Sequence, residues 1–191
     1  MKVYNIMEYT ELSKKITKDL PKCVKKKEGI YFTPPETIDK NLKRLNDYIV
    51  RRTKVLEPSC GSGEYILKLR ERYPHLKISG IEKNERIYDS IKGFTGMNLM
   101  NMDYLDYEGD SYGLIIGNPP YVVLKKKEVD PKYYDYFDGR PNIFILFIIK
   151  SLGLLNSDGI LSFILPKSFL NCLYYDNTRK YINQNFTILD I

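Results

Sequence analysis

The sequence predicts an α/β domain in which helices cover both faces of a doubly wound, parallel sheet. From residue 54 onward, short apolar segments alternate with stretches of helical periodicity. Most of the apolar segments lack the two-residue alternation of a half-exposed strand, which is typical of strands buried on both faces. The length of 191 residues fits one such domain.

The alternation places the elements in order along the chain. Strands are predicted at 54–56, 76–81, 97–102, 113–116, 160–165 and 186–191. Helices are predicted at 63–72, 84–92, 142–155 and 170–184. We therefore expect the catalytic or binding domain to occupy residues 29–191, preceded by an extension.

Residues 1–28 are predicted to form an appended N-terminal helix. Leu12, Ile16 and Leu20 recur every four residues, and Pro21 ends the pattern. Packing on the edge of the domain is the expected role, because an apolar stripe on a helix usually marks burial. A basic arm that faces a nucleic acid is the alternative.

Composition narrows the class of protein. The excess of basic over acidic residues gives a formal net charge of +6, which favours an anionic partner without naming one. Three scattered cysteines and one histidine cannot assemble a disulfide framework or a zinc site, so no metal is predicted. The longest apolar run, 143–149, is shorter than the roughly 18 residues of a membrane span. We expect an intracellular, soluble, cytoplasmic protein with no membrane partner.

A glycine turn follows the first predicted strand, in Leu56-Glu57-Pro58-Ser59-Cys60-Gly61-Ser62-Gly63. Two glycines spaced by one residue let the backbone pass close to a ligand, although a tight turn without any ligand is the alternative. The carboxylate of Glu57 repels a phosphate and suits the ammonium of an amino-acid moiety. This favours S-adenosylmethionine over a dinucleotide.

Two further acids end the next two predicted strands. Glu82 stands about 20 residues after the glycine turn, where doubly wound folds hold ribose hydroxyls. Asp103 can accept a hydrogen bond from an adenine amino group. A single acid at a strand end is usually just solvated, but three at successive ends favour a ligand at that edge of the sheet.

The motif Gly117-Asn118-Pro119-Pro120-Tyr121 directly follows the fourth predicted strand. Pro119 restricts Asn118 to an extended backbone, so the side chain and the following carbonyl are held rigidly. The alternatives are a proline-stiffened loop or a peptide for a proline-binding domain. The position after a buried strand favours a site at the edge of the sheet.

In combination, these motifs resemble those of a known family. Asn118-Pro119-Pro120-Tyr121, preceded by Glu57-Pro58-x-x-Gly61-x-Gly63 and Thr33-Pro34-Pro35-Glu36, is similar to the amino-methyltransferases of the gamma arrangement, which methylate adenine N6 in DNA. The order of the motifs is the same, and the resemblance runs from about residue 29 to the C-terminus. It implies a Rossmann-like class I methyltransferase sheet, S-adenosyl-L-methionine as cofactor, and a flipped adenine in double-stranded DNA as substrate, within a restriction-modification system.

The resemblance also implies roles for individual residues. Thr33 would hold the methionine end of the cofactor, Glu82 the ribose and Asp103 the adenine amine. Phe147 resembles an aromatic that packs on the cofactor, with plain helix core as its alternative. The full set implied in cofactor binding is Tyr31, Thr33, Glu57, Pro58, Ser59, Cys60, Gly61, Gly63, Glu82, Asp103, Tyr104, Pro120 and Phe147.

The predicted catalytic residues are Asn118, Pro119, Pro120 and Tyr121. The adenine amine is a poor nucleophile because its lone pair is delocalised into the ring. Acceptance of its two hydrogens by the Asn118 side chain and the Pro119 carbonyl would direct the lone pair at the methyl group, with no general base. Tyr121 offers a stacking face for the flipped base. Methylation of cytosine C5 is disfavoured, since the sequence has no Pro-Cys pair.

The segment 122–141 is rich in Lys and Tyr and has two interpretations. It either contacts DNA phosphates beside the catalytic loop or is a flexible, solvated loop. Members of the gamma group continue past 186–191 with a second aromatic, a closing strand and a target-recognition domain. We therefore expect a C-terminally incomplete sheet and a recognition domain or subunit outside this chain. Tyr174 and Tyr175 fall in the preceding helix and are not assigned as that aromatic.

Two other functions stay open. The Asn-Pro-Pro-Tyr loop also serves methyltransferases that act on glutamine N5 in proteins or guanine N2 in RNA, but these usually lack the Thr33-Pro34-Pro35 segment at this position. From another class, the chain would be a noncatalytic DNA-binding subunit with a residual cofactor pocket.

Overall fold

The computed structural model describes residues 9–191, in which five parallel strands form one sheet between two layers of helices. The strands are β1 (Lys54–Glu57), β2 (Lys77–Glu82), β3 (Asn98–Asn101), β4 (Tyr112–Gly117) and β5 (Leu155–Phe163). The helices are α1 (Glu11–Asp19), α2 (Lys22–Glu28), α3 (Pro35–Ile49), α4 (Glu64–Arg72), α5 (Glu85–Ile91), α6 (Ile143–Gly153) and α7 (Asp176–Asn185). None of the helices described is long and apolar enough to cross a membrane.

The strand order β3-β2-β1-β4-β5 confirms the doubly wound topology. The chain steps outward from β1 to β3 and then returns to the other side of β1, where β4 pairs with it in the register Val55 to Leu114 and Leu56 to Ile115. The winding direction therefore reverses between β1 and β4. In open α/β sheets, ligands bind outside the carboxyl ends of the strands at such a reversal point.

Successive side chains of the central strands enter different cores. Val55 and Leu114 pack with α3, α4 and α5 on one face of the sheet, whereas Leu56 and Ile115 pack toward α6 on the other. All four are at most 1% exposed. Burial on both faces accounts for the missing polar alternation that predicted this architecture.

The strand predicted at 186–191 is wrong. Within the described part of the chain these residues pair with no strand, and Ile188, Leu189 and Ile191 are exposed. A strand requires a neighbour for its backbone hydrogen bonds, and apolar composition alone does not provide one. β5 also starts earlier than predicted, at Leu155, and takes the end of the helix predicted at 142–155.

Two helical regions differ from the prediction. The pattern predicted no element over α3, although Ile38, Leu42 and Ile49 form a buried stripe along it. Pro35 occupies its first turn, where proline lacks no needed hydrogen bond. The helix predicted from residue 170 begins only at Asp176, after short 3-10 turns at Lys167–Leu170 and Leu173–Tyr175.

The N-terminal extension is two helices rather than one. Thr10 caps α1 by accepting a hydrogen bond from the Ser13 backbone N–H, and α2 ends at Gly29 in the left-handed conformation. Ile16 and Leu20 pack against Ile87 of α5, as expected for a helix on the domain edge. The part of the prediction that concerns residues 1–8 lies outside the described residues.

Candidate active site

A cleft at the carboxyl ends of β1 and β4 collects residues from three predicted segments. These are the segment before α3, the glycine turn after β1 and the loop after β4. The cleft is lined by Tyr31, Phe32, Thr33, Glu57, Ser59, Cys60, Gly61, Ser62, Glu64, Tyr65 and Asn118. The reversal of winding brings these segments together, because it places the ends of β1 and β4 side by side.

The glycine turn is a compact structure that requires its glycines. Gly61 and Gly63 have positive φ angles of 52° and 79°, which L side chains rarely adopt. The Gly63 N–H donates to the Cys60 carbonyl over 2.8 Å, and the Cys60 N–H donates to the Ile81 carbonyl over 2.9 Å. The turn is therefore fixed to the end of β2, with its backbone facing the cleft.

Glu82 braces the same turn from β2. One carboxylate oxygen accepts from the Gly61 N–H over 2.9 Å, and the other accepts from the Asn84 N–H over 2.7 Å. Burial raises the pKa of Glu82 to about 7, although these N–H donors act in the opposite direction. A ligand hydroxyl that donated to this carboxylate would favour its ionised form.

Glu57 carries an unsatisfied polar atom. The residue is 3% exposed, and its Oε2 atom has no hydrogen-bond partner within residues 9–191. Burial and the nearby charge of Glu82 raise the pKa of Glu57 well above its ordinary value. A buried carboxylate oxygen without a hydrogen-bond partner favours a cationic or N–H-bearing ligand group. The ligand's hydrogen bond removes the free-energy cost of leaving that oxygen unpaired.

The loop after β4 holds Asn118 beside this acid. Gly117 has a φ of 153°, and a Cβ atom there would lie 3.3 Å from Cγ of Glu57. The Ser59 hydroxyl donates to the Asn118 backbone carbonyl over 3.2 Å, and the Asn118 side-chain N–H₂ donates to the Tyr31 carbonyl over 3.4 Å. Asn118 thus contacts both the glycine turn and the segment before α3.

The remainder of the motif is held from two sides. Pro119 is buried, and Tyr121 is half-buried with its hydroxyl bonded to Asn118 and to the Ile164 carbonyl. Gly29 meets the loop closely, since a Cβ atom on it would lie 2.9 Å from the Tyr121 nitrogen and 3.2 Å from Cβ of Pro120. Sequence reasoning gave Gly29 no role of its own, and its place at the start of the predicted cofactor segment was the only signal.

Three of the residues predicted to bind the cofactor have structural partners within the chain. Asp103 forms an ion pair with Lys83 over 2.6 Å and caps a 3-10 turn. Tyr104 and Phe147 are at most 4% exposed, with ring centroids 4.9 Å apart, and belong to the core on the α6 face. The alternative given for Phe147, helix core, describes its packing, and its contact with a cofactor stays a prediction.

The Lys- and Tyr-rich segment 122–141 folds onto α6. It forms 3-10 helices at Lys126–Glu128 and Pro131–Tyr136. Val129, Tyr133 and Phe137 are buried in the same core cluster as α6. The three lysines at 125–127 are exposed. The segment therefore presents these cationic side chains to solvent while its buried residues pack against α6.

The family model described as "Eco57I restriction-modification methylase" matches residues 8–191. The chain belongs to this family. The match covers all three segments that line the cleft, which are the segment before α3, the glycine turn and the loop after β4.

Curated relatives of this Eco57I-family chain include two viral proteins. It is 34% identical over 200 residues to "Modification methylase CviBIII" from Paramecium bursaria Chlorella virus NC1A, an alignment that covers 97% of this chain and 51% of the relative. It is 29% identical over 184 residues to "Type II methyltransferase M.CvrRI" from Paramecium bursaria Chlorella virus XZ-6E, which covers 95% of this chain and 47% of the relative. The chain therefore spans about half the length of the curated relatives it matches.

The fold of the Eco57I-family chain is also that of solved class I methyltransferases. The plantazolicin methyltransferase BpumL in complex with SAH superimposes with a TM-score of 0.51 at 14% identity, over 78% of this chain and 56% of that one. The predicted Rossmann-like methyltransferase sheet is confirmed at the level of fold.

Proposed function

We propose that this chain is the catalytic part of a DNA adenine-N6 methyltransferase of a restriction-modification system, with S-adenosyl-L-methionine as methyl donor. The observation that carries the proposal is that Asn118 and Glu57, whose Oε2 atom has no hydrogen-bond partner within residues 9–191, line one cleft at the reversal point between β1 and β4. Relatives named as modification methylases support DNA as the substrate. Sequence recognition would come from a part of the protein that this chain does not contain.

The cleft, together with the carboxyl ends of β2 and β3 beside it, offers groups complementary to the parts of the cofactor. Oε2 of Glu57 would accept a hydrogen bond from the ammonium of the methionine moiety, which supplies the missing donor. Glu82 would accept from the ribose hydroxyls with lone pairs that its two backbone donors leave free. Gly61 and Gly63 would let the backbone of the turn approach the cofactor closely. The Asp103 carboxylate would accept a hydrogen bond from the adenine amine while it remains paired with Lys83.

The loop after β4 would activate the substrate amine. The cofactor would supply a methyl group on a positively charged sulfur and leave as the neutral thioether, while the methylated amine would release its extra proton to water. Asn118 Oδ1 and the Pro119 carbonyl would each accept one hydrogen of the adenine amine, which favours a pyramidal nitrogen with an available lone pair. The two prolines fix these acceptors before the substrate arrives, so the chain contributes positioning and electrostatics rather than a general base.

Asn118→Ala in the full-length protein tests the proposal. With DNA and S-adenosylmethionine, wild type should form N6-methyladenine, measured by nucleoside mass spectrometry. Because the variant lacks one of the two acceptors, its rate should fall by at least about 100-fold. Cofactor affinity should change by less than about threefold, since Asn118 holds the substrate side.

Asn185→Ala, an exposed asparagine at the end of α7, is the matched control and should retain the wild-type rate. Methyl transfer by wild type to RNA guanine or to a protein glutamine in place of adenine would replace the proposal with the alternative amine substrates. Cofactor binding without any methyl transfer would instead favour a noncatalytic DNA-binding subunit.

A further inference from the structure

The start of the N-terminal extension contacts two of the segments that line the cleft. The Tyr9 hydroxyl donates to the Phe32 carbonyl over 3.2 Å. The backbone N–H and the hydroxyl of Thr10 donate to the Glu64 carboxylate over 3.1 Å and 2.9 Å. Phe32 belongs to the segment before α3, while Glu64 is the first residue of α4 after the glycine turn. One short stretch, 9–13, therefore bridges two parts of the chain that are distant in sequence.

Ser13 completes a buried polar network at this point. Its hydroxyl donates to the same Glu64 oxygen, and its oxygen lies 2.7 Å from the Ser62 hydroxyl. Ser13, Ser62 and Glu64 are 1%, 2% and 6% exposed. Ser62 stands between Gly61 and Gly63, the two residues with positive φ, so the network reaches the centre of the turn.

The network has a physical consequence for the turn. A buried carboxylate requires hydrogen-bond donors, and α1 supplies three of them to Glu64. Loss of these donors favours conformations in which Glu64 reaches water, and such movement displaces Ser62 and the glycines beside it. Phe32 has a parallel constraint, since its ring lies 3.2 Å from the place where a Cβ atom on Gly61 would be.

We infer that Thr10 and Ser13, with Tyr9, are positioning residues for cofactor binding. They hold the glycine turn and the segment before α3 at the spacing that the cofactor requires, although they do not line the cleft themselves. The inference rests on the proposed function of the cleft as a cofactor site. Coupling between two sites is reciprocal. A cofactor that requires the glycine turn and the segment before α3 at this spacing must therefore also stabilise the docking of α1.

A hydroxyl-deletion series in the full-length protein tests this inference by calorimetry with S-adenosylmethionine. The double variant Thr10→Val with Ser13→Ala should lose about tenfold in cofactor affinity, because two donors to a charged group are removed. The single variant Thr10→Ser keeps both hydroxyl groups and should therefore retain the cofactor affinity of wild type. The matched control is Thr17→Val, which removes an exposed hydroxyl two turns from the cap of the same helix.

The methylation rate at saturating cofactor separates positioning from general damage. In the double variant it should fall by less than about threefold, so that the effect appears in the KM for cofactor and not in kcat. The inference would be overturned if the double variant bound the cofactor with wild-type affinity. A lower melting temperature with unchanged affinity of the folded protein would overturn it too.

Hydrogen exchange provides an independent readout should the double variant not fold. In wild type, cofactor binding should slow exchange of the Ser13 and Gly63 amides together. Protection of the Gly63 amide alone would overturn the coupling. If wild type binds no cofactor at all, the proposed function of the cleft fails, whereas binding without coupling contradicts only the role of α1.

Discussion

The hydroxyl of Tyr121 donates a hydrogen bond to the side-chain oxygen of Asn118 over 2.5 Å. The same hydroxyl lies 2.7 Å from the carbonyl of Ile164, just beyond β5. Burial raises the pKa of Tyr121 to about 12, so the group remains a donor at neutral pH. In the proposed mechanism the Tyr121 hydroxyl would orient the Asn118 amide, which accepts one hydrogen of the substrate amine, and the Tyr121 ring would stack on the flipped base.

Tyr121→Phe separates these two roles, because it keeps the ring and deletes the hydroxyl. We expect the methylation rate to fall by about 3- to 10-fold, the value of one hydrogen bond, with cofactor affinity unchanged. Single-turnover kinetics would measure the change. Tyr73→Phe removes a hydroxyl that bonds to the Asn46 side chain of α3, away from the loop, and serves as the control. An unchanged rate in Tyr121→Phe would show that the hydroxyl does not orient Asn118.

Gly29→Ala should displace the loop after β4, which Gly29 approaches closely although it lies far away in the sequence. Gly29 has a φ of 66°, and an added Cβ atom would meet the Tyr121 nitrogen at 2.9 Å. We expect a loss of roughly 1–3 kcal/mol in the free energy of unfolding, measured by chemical denaturation, together with a lower methylation rate. Gly93→Ala is the control, since a Cβ atom there has no neighbour within 4 Å. Equal behaviour of the two variants would remove the support that Gly29 gives to the loop.

Cofactor affinity should rise with pH. Hydrogen bonds from the ribose favour ionised Glu82, whose pKa in the free protein is raised by burial to about 7, so binding should release a proton near neutral pH. Calorimetry in buffers of different ionisation enthalpy would count the protons released. Glu82→Gln should reduce that count, with the remainder coming from Glu57. A count that Glu82→Gln leaves unchanged would contradict the assigned role.

In the protein without cofactor, Glu82 should make the free energy of unfolding fall with rising pH, whereas cofactor affinity should rise. Its pKa in the folded protein lies above the ordinary value of 4.5, so its contribution to stability is full below about pH 4.5 and is lost as the pH rises through about 7. The pH dependence of the free energy of unfolding should therefore be flatter in Glu82→Gln over this window. An identical dependence in both proteins would indicate that Glu82 is not destabilised by burial.

The exposed lysines at 125–127 should contact DNA phosphates. Lys127→Gln in the full-length protein is expected to weaken DNA binding at low salt and to lower the salt dependence of the binding constant by about one phosphate contact. Fluorescence anisotropy over a salt series would measure this. Lys43→Gln, at an exposed position on α3, should leave the slope unchanged. If both variants match wild type, the basic surface beside the loop is only solvated.

The sheet could be predicted where a strand is buried on both faces, because such strands consist of consecutive apolar residues. Leu56 and Ile115 are apolar because both faces of their strands are covered, and that pattern needs no knowledge of the neighbours. The strand at 186–191 failed because pairing depends on a partner strand, which apolar residues do not specify. No element was predicted over α3, although Pro35 stands in its first turn, a position where proline commonly begins a helix.

The site divides in the same way. Glu57 and Asn118 belong to contiguous motifs at strand ends, so their residue types and positions predict a shared edge, and the structure places them there. The contacts from Gly29 to the Tyr121 backbone and from Thr10 to Glu64 arise from packing between segments far apart in the chain. Nothing local in the sequence distinguishes those residues from an ordinary helix end or cap.

In the proposed complex, one cleft between β1 and β4 holds the cofactor with its methyl group facing Asn118. A crystal structure of the chain with S-adenosylmethionine tests it most directly. We predict the ligand ammonium at about 2.7–2.9 Å from Oε2 of Glu57, and the methyl group directed toward Oδ1 of Asn118. A ligand bound elsewhere, or one whose methyl group points away from the loop after β4, would contradict the account.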